Sequence, residues 1–170
     1  SFTAIAFVAC GTSETSAPAE RVVETARIFI IDDLRTAGMK TSKQYDVSEL
    51  PGSLDAWYGF VRDEGGPKDI EVRFYPNHAD AVTLGDRLAN EASGNDALVD
   101  EENATWSEGL MDRTRMVSGG TSDLAAWSGS RRPNYGDYMI FGNVIMLCQG
   151  DKPEHSRAFC NFVIKALGGA

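Results

Sequence analysis

The chain has 170 residues, of which 42% are hydrophobic and 24% are charged, and its formal net charge is −9. This length and composition predict a single globular domain with a core of its own, which we place at residues 19–170. The acidic balance argues against binding to nucleic acid or to anionic lipid head groups, because both reward clustered Lys and Arg side chains.

The sequence opens on an apolar run, which ends at Cys10 and gives way to small polar residues. Residues 7–10 read Phe-Val-Ala-Cys and resemble the lipobox of a bacterial lipoprotein, with Phe7 in place of the usual Leu. The resemblance implies that residues 1–9 are the end of a signal peptide, that Cys10 carries a lipid, and that residues 10–18 are the anchor and tether. The protein would then be extracytoplasmic, in the periplasm or at the cell surface, and would touch the membrane through its N-terminal lipid.

The same residues have a second interpretation. Residues 2–9 would form the buried first strand of a cytoplasmic α/β enzyme, and Gly11, Thr12 and Ser13 a loop that holds a phosphate at the start of the next helix. Periodicity alone does not separate a buried strand from another apolar run of this length. We favour the lipid anchor because of the cysteine count.

The chain has three cysteines, Cys10, Cys148 and Cys160. An odd number is unusual in an exported protein unless one thiol has another task, and lipidation would take Cys10 out of the count. We therefore predict a disulfide between Cys148 and Cys160, across a connection from a strand to a helix. Such a bond persists in an oxidising compartment, which agrees with export. The alternative is a pair of buried free thiols.

Apolar residues at helical spacing predict three helices. The first lies between Pro18 and a stop at Gly38; the second begins at the N-cap Asn77 and ends at Gly94; the third is opened by Asp151 and is ended by two glycines. The apolar faces predicted for the second and third helices are Ala81, Leu84, Leu88 and Ala92, and Ala158, Phe159, Phe162, Val163 and Ala166.

Two pairs of strands are predicted. Residues 56–61 and 70–75 flank a loop, and the second of them alternates apolar residues with Glu71 and Arg73, which predicts a half-buried strand. Residues 138–141 and 144–147 flank Gly142 and Asn143, a two-residue hairpin signal in which the glycine takes a positive φ. A hairpin followed by a helix therefore occurs twice. This order predicts an α+β fold, with an antiparallel sheet of two hairpins and helices packed on one face, as in a ferredoxin-like sandwich with a pseudo-repeat.

The long irregular segment at residues 94–136 is predicted to pack on the body, because it carries many large apolar side chains, among them Met111 and Met116. It is also the candidate binding surface, since Trp, Tyr and Arg are enriched at binding hot spots. The candidate partner-binding residues are Trp106, Trp127, Arg131, Arg132 and Tyr135.

Residues with a catalytic pattern are not found. His78 and His155 have no partner at metal-ligand spacing, so we expect no metal and no cofactor, and a binding protein more readily than an enzyme. The favoured hypothesis is a lipid-anchored interaction module or accessory subunit of a membrane or envelope complex, with a protein partner and no nucleic acid. The alternatives are the cytoplasmic enzyme and an extracytoplasmic small-ligand-binding protein. A ligand would lie in a pocket lined by Trp57, Tyr58 and Tyr75.

Overall fold

A computed structural model describes residues 20–117 and 130–169 of the chain. Within these ranges the fold mixes helices with a six-stranded, mostly antiparallel sheet. The strands are β1 (Val22–Val23), β2 (Lys40–Gln44), β3 (Asp55–Asp63), β4 (Gly66–Phe74), β5 (Thr114–Val117), β6 (Ser130–Pro133), β7 (Tyr135–Phe141) and β8 (Val144–Gln149). The helices are α1 (Ile31–Thr36), α2 (His78–Asp80), a π-helical turn (Ala81–Gly85), α3 (Asp86–Glu91) and α4 (Pro153–Ala166).

The six strands of the sheet follow the order β1-β7-β8-β4-β3-β2, while β5 and β6 pair only with each other. The two predicted hairpins are its centre: β3 pairs with β4, β7 pairs with β8, and β4 joins the two pairs through β8. Gly142 has a φ of +56°, as predicted for the turn of the second hairpin. The first hairpin is tighter than predicted, because Asp63 already pairs with Gly66.

Helices cover both faces of the sheet, so the prediction of helices on one face is wrong. Val144, Met146 and Cys148 of β8 face α1 and α4, whereas Ile145 and Leu147 face the helical segment at residues 78–91, which we call the middle helix. The sequence of β8 is apolar without interruption because a strand that is buried on both faces does not alternate apolar with polar residues. A two-fold axis between the antiparallel β4 and β8 would relate the two hairpins and would put the helices that follow them on the same face. These helices lie on opposite faces, so the order of hairpin and helix recurs without two-fold symmetry.

The middle helix begins where the sequence predicts. The Asn77 side chain accepts a hydrogen bond from the Asp80 amide at 2.9 Å, which makes it the N-cap. Gly94, with a φ of +86°, follows the helix as the predicted stop. Within the helix, Gly85 lies directly against the ring of Tyr75, where a Cβ would come within 2.5 Å of the tyrosine hydroxyl. This close approach seats the helix on the sheet.

The first predicted helix is wrong over most of its length. Val22 and Val23 instead form a short edge strand, parallel to β7, and only α1 is helical before the stop at Gly38. The buried Asn143 fixes the connection between them, because its side chain bonds both the amide and the carbonyl of Phe29, at 2.7 and 3.0 Å. Pairing with the sheet has overridden the local helical spacing.

The predicted disulfide is confirmed: Cys148 and Cys160 are bonded, with their Cα atoms 5.8 Å apart, and both are fully buried between β8 and α4. The third helix is also confirmed, but its buried face is rotated from the predicted one. Because Cys160 must face β8, Ile164 turns inward and Phe162 outward, where it is 44% exposed.

The predicted signal-peptide end, Cys10, the tether and the alternative loop at Gly11, Thr12 and Ser13 lie outside the described residues, as does Trp127. Among the helices of the described ranges, none is both long and apolar enough to cross a membrane.

Candidate functional site

A buried cluster of charged side chains lies on the face of the sheet that the middle helix covers. Glu71 and Arg73 both project from β4 on this face and are fully buried, which corrects the prediction that β4 is half buried. Arg113 reaches Glu71 from outside the sheet, with Nε 2.8 Å from Oε2 and Nη2 3.3 Å from Oε1. Arg73 donates from Nε to Glu71 Oε1 at 2.7 Å. One carboxylate therefore holds two guanidinium groups.

Trp106 covers this cluster. Its ring lies 4.6 Å from the guanidinium carbon of Arg113 and 4.9 Å from that of Arg73, and its carbonyl accepts from Arg113 Nη1 at 3.0 Å. Such cation–π contacts are strongest where water is excluded. Trp106 is therefore part of the interior, as is the fully buried Tyr135. Neither side chain offers exposed surface to a partner in this structure.

Electrostatics keep the cluster charged. Burial alone would raise the pKa of Glu71, but the positive charges of Arg113 and then Arg73 hold that pKa below its usual value. For Arg113, burial would lower the pKa of the guanidinium, and the Glu71 carboxylate raises it instead. Both partners are thus ionised at neutral pH, and each would be a buried unpaired charge without the other.

The cluster anchors the two-stranded sheet of β5 and β6, which we call the arm. Arg113 directly precedes β5, and its carbonyl accepts the amide of Asn134, which directly follows β6, at 2.8 Å. The Asn134 side chain donates to Asp69 Oδ2 at 2.8 Å. Next to Arg113, Asp112 accepts the hydroxyl of Tyr45 at 2.7 Å. Both stems of the arm are therefore fixed to the body.

The arm has two faces of different chemistry, because residues directly opposite each other in a sheet share a face. Arg115 pairs with Arg132, and Met116 pairs with Arg131. No acidic residue occurs among residues 114–117 or 130–133. We call the side of Met116 and Arg131 the methionine face, and the side of Arg115 and Arg132 the arginine face.

The methionine face is open to solvent. Met111 and Met116 are each 66% exposed, which corrects the prediction that the large apolar side chains of this segment pack on the body. Arg131 Nη1 lies 3.4 Å from the Met111 sulfur. Both Met111 and Arg131 also line an open groove beside the arm. The other residues of this groove are Lys43, Val99, Asp100, Glu101, Glu102, Asn103, Ser107, Glu108, Gly109 and Leu110.

The alternative ligand pocket is not assembled. Trp57 and Tyr58 are neighbours on β3 and point to opposite faces, Trp57 towards α1 and α4, and Tyr58 towards the face of the middle helix. Tyr75 is fully buried on the latter face. Alternation along a strand therefore prevents these three side chains from lining one pocket.

The two histidines have local partners, and no group of three metal-binding side chains occurs in the described ranges. His78 Nδ1 lies 2.8 Å from the Gly142 carbonyl, and His155 Nδ1 lies 2.5 Å from Asp151 Oδ1. The residues that sequence reasoning missed are Arg113, Arg115 and the exposed methionines. The segment was marked in advance by its Trp, Tyr and Arg content, including the adjacent Arg131 and Arg132.

Comparison with known proteins gives a family and no activity. No curated protein and no solved structure matches the chain. A family profile matches residues 30–169, which include the charge cluster, the arm and the disulfide. The chain therefore belongs to DUF6810, a family of unknown function.

Proposed function

We propose that this protein is a lipid-anchored extracytoplasmic interaction module, which binds a protein partner through the methionine face of the arm. The observation that carries the proposal is the exposure of Met116, opposite Arg131 on a two-stranded sheet outside the main sheet, together with the exposed Met111 that contacts Arg131. The body would act as a rigid support that presents this surface.

The chemistry of the face suits a protein partner. Methionine and arginine are both enriched at protein interfaces, methionine because its flexible thioether adapts to irregular surfaces and arginine because its planar fork binds carboxylates. Isolated exposed apolar side chains need no explanation, but here two large ones flank an arginine. We infer a partner surface that combines carboxylates with apolar side chains.

The anchorage of the arm supports the same role. A binding surface loses affinity when it must be ordered on association, and fixed stems reduce that cost. Arg113 ties one stem to the buried ion cluster and Asn134 ties the other to Asp69 of β4, so the surface is positioned before a partner arrives. Two short strands without such ties would be marginal in water.

The proposed location depends on the N-terminal sequence and on the disulfide. A disulfide is compatible with an oxidising compartment outside the cytoplasm. The lipobox-like residues would place the anchor at Cys10, ten residues before the described fold begins at Glu20. In detergent-phase partitioning, we expect the protein from its own host to follow the membrane fraction and a Cys10→Ser variant to leave it. A native protein that stays in the aqueous phase with Cys10 intact would contradict the anchor.

The binding surface is tested by photo-crosslinking in the host envelope. A photoreactive amino acid is placed at position 116, and in a matched control at position 162, because Phe162 is also an exposed apolar residue but lies on α4. We expect one partner band from position 116 that is absent from position 162. The partner, once purified, must bind the protein directly. Equal products from both positions, or none from position 116, would contradict the proposal.

A further inference from the structure

The arginine face of the arm borders a small cleft that the proposed partner surface does not use. The cleft has a volume of about 70 Å³ and lies between the arm, the segment after the middle helix and the segment before α4. Its lining residues are Gly94, Asn95, Arg115, Arg132, Pro133, Tyr135, Gly136, Gly150 and Asp151.

Arg115 and Arg132 bring two positive charges to this cleft from the same face of the arm. Arg115 and Arg132 are directly opposite in the register of the arm, an arrangement that is destabilising for like charges. Neither forms an ion pair with a carboxylate of the described residues. The Nε atom of Arg115 is buried and has no hydrogen-bond partner there. An unsatisfied buried donor on a charged group is costly, so this arrangement calls for an acceptor.

The rest of the lining is consistent with an anion. The backbones of Gly136 and Gly150 approach each other closely on one side of the cleft. A Cβ on Gly136 would lie 2.8 Å from the Gly150 carbonyl oxygen, so a side chain does not fit there. The lining also contains one carboxylate, that of Asp151, which bonds His155 Nδ1 at 2.5 Å, so the two guanidinium groups leave the cleft with an excess of positive charge. Tyr135 is fully buried, and its hydroxyl has no partner among the described residues.

We propose that this cleft binds one tetrahedral oxyanion of the phosphate class, held between the guanidinium groups of Arg115 and Arg132. Arginine forks bind phosphate oxygens through paired, charge-assisted hydrogen bonds. At about 70 Å³ the cleft has room for one such group. The group would be free phosphate or the terminal phosphate of a larger molecule that stays outside.

The site is independent of the proposed partner surface, because Arg131 and Arg132 are neighbours on one strand and lie on opposite faces of the arm. This alternation supplies a matched control. Arg132→Gln and Arg115→Gln remove one guanidinium each from the cleft, whereas Arg131→Gln removes the same charge from the other face.

The test is a titration with inorganic phosphate at pH 7.5 and constant ionic strength, followed by calorimetry and by amide shifts in NMR spectra. We expect saturable binding to the unmodified protein, a loss of affinity of at least tenfold in Arg132→Gln and in Arg115→Gln, and a change of no more than twofold in Arg131→Gln. Absence of saturable binding to the unmodified protein, or an equal loss in Arg131→Gln, would overturn the site.

A stability measurement keeps the test valid if a variant folds poorly. Because Arg132→Gln removes a repulsion, its melting temperature without phosphate should equal or exceed that of the unmodified protein. Phosphate raises the melting temperature of any protein to some extent as a salt, and for Arg132→Gln the increase should be no larger than this general effect. An Arg132→Gln variant that melts lower in the absence of phosphate would contradict a repulsion between Arg115 and Arg132.

Vesicles of phosphatidylcholine with and without phosphatidic acid separate the two sources of the anion. Arg132-dependent binding to the acidic vesicles assigns a lipid phosphate, and binding of inorganic phosphate alone assigns a soluble one.

Discussion

Replacing Arg113 with Met tests the charge cluster on which the arm depends. The variant keeps most of the side-chain volume but removes two contacts to Glu71, at 2.8 and 3.3 Å, and one to the Trp106 carbonyl, at 3.0 Å. Glu71 is fully buried and would keep only Arg73. Removing one partner of a buried ion pair costs about 3–5 kcal/mol, because the remaining charge is left uncompensated. For a protein of this length that corresponds to a fall in melting temperature of roughly 6–20 °C.

The dependence on pH gives this prediction its second part. In the unmodified protein the pKa of Glu71 is lowered, so its stabilising contribution is present at neutral pH and is lost only as the pH falls through that lowered pKa. In Arg113→Met, burial is opposed by Arg73 alone, so the pKa of Glu71 should rise. The difference in unfolding free energy between the two proteins should then be largest near pH 7. It should shrink as the pH falls from the pKa of Glu71 in the variant to the lower pKa of Glu71 in the unmodified protein.

Urea unfolding of both proteins between pH 4 and pH 7.5 measures this difference. Arg87→Met is the matched control, because Arg87 forms an exposed ion pair with Glu91 at 3.3 Å and should cost less than about 1 kcal/mol. A loss of less than about 1 kcal/mol in Arg113→Met, or a difference that does not change with pH, would refute the reasoning.

Three further predictions concern the fold that supports the arm. Replacing Cys148 and Cys160 together with Ser should lower the free energy of unfolding by about 3 kcal/mol in urea titrations, and an unchanged midpoint would contradict a stabilising disulfide. Asn143→Ala removes three buried hydrogen bonds to backbone groups and should cost about 2–4 kcal/mol in the same assay, against a loss near zero if water replaces them. Asn77→Ala should cost about 1 kcal/mol in thermal unfolding as the loss of an N-cap, and Asn77→Ser, which retains a capping oxygen, should recover most of it.

The features that could be predicted from the sequence are those set by local chemistry. Asn77 caps its helix because a short polar side chain reaches the amide three residues on, and Gly142 forms the hairpin turn because it tolerates a positive φ. The pairing of Cys148 with Cys160 followed from counting thiols. Each of these depends on neighbours in the sequence or on composition.

The features that could not be predicted depend on residues far apart in the chain. Glu71 and Arg73 have the pattern of a solvated strand face, and only Arg113, forty-two residues beyond Glu71, makes their burial tolerable. Val22 and Val23 have helical spacing, yet they pair with β7 more than a hundred residues later. Trp106 is of a residue type that is enriched at binding sites, but an aromatic ring is equally suited to covering buried arginines.

The methionine face of the arm is the surface that we propose binds a protein partner. The most direct test of this proposal is the affinity of the purified crosslinked partner for a Met116→Ala, Arg131→Ala variant, measured together with the variant's free energy of unfolding. Both side chains are largely free of the core, so we expect stability within about 0.5 kcal/mol of the unmodified protein. We expect partner affinity to fall by about 2 kcal/mol or more, as for a hot-spot truncation. Unchanged affinity in a stably folded variant would contradict the account.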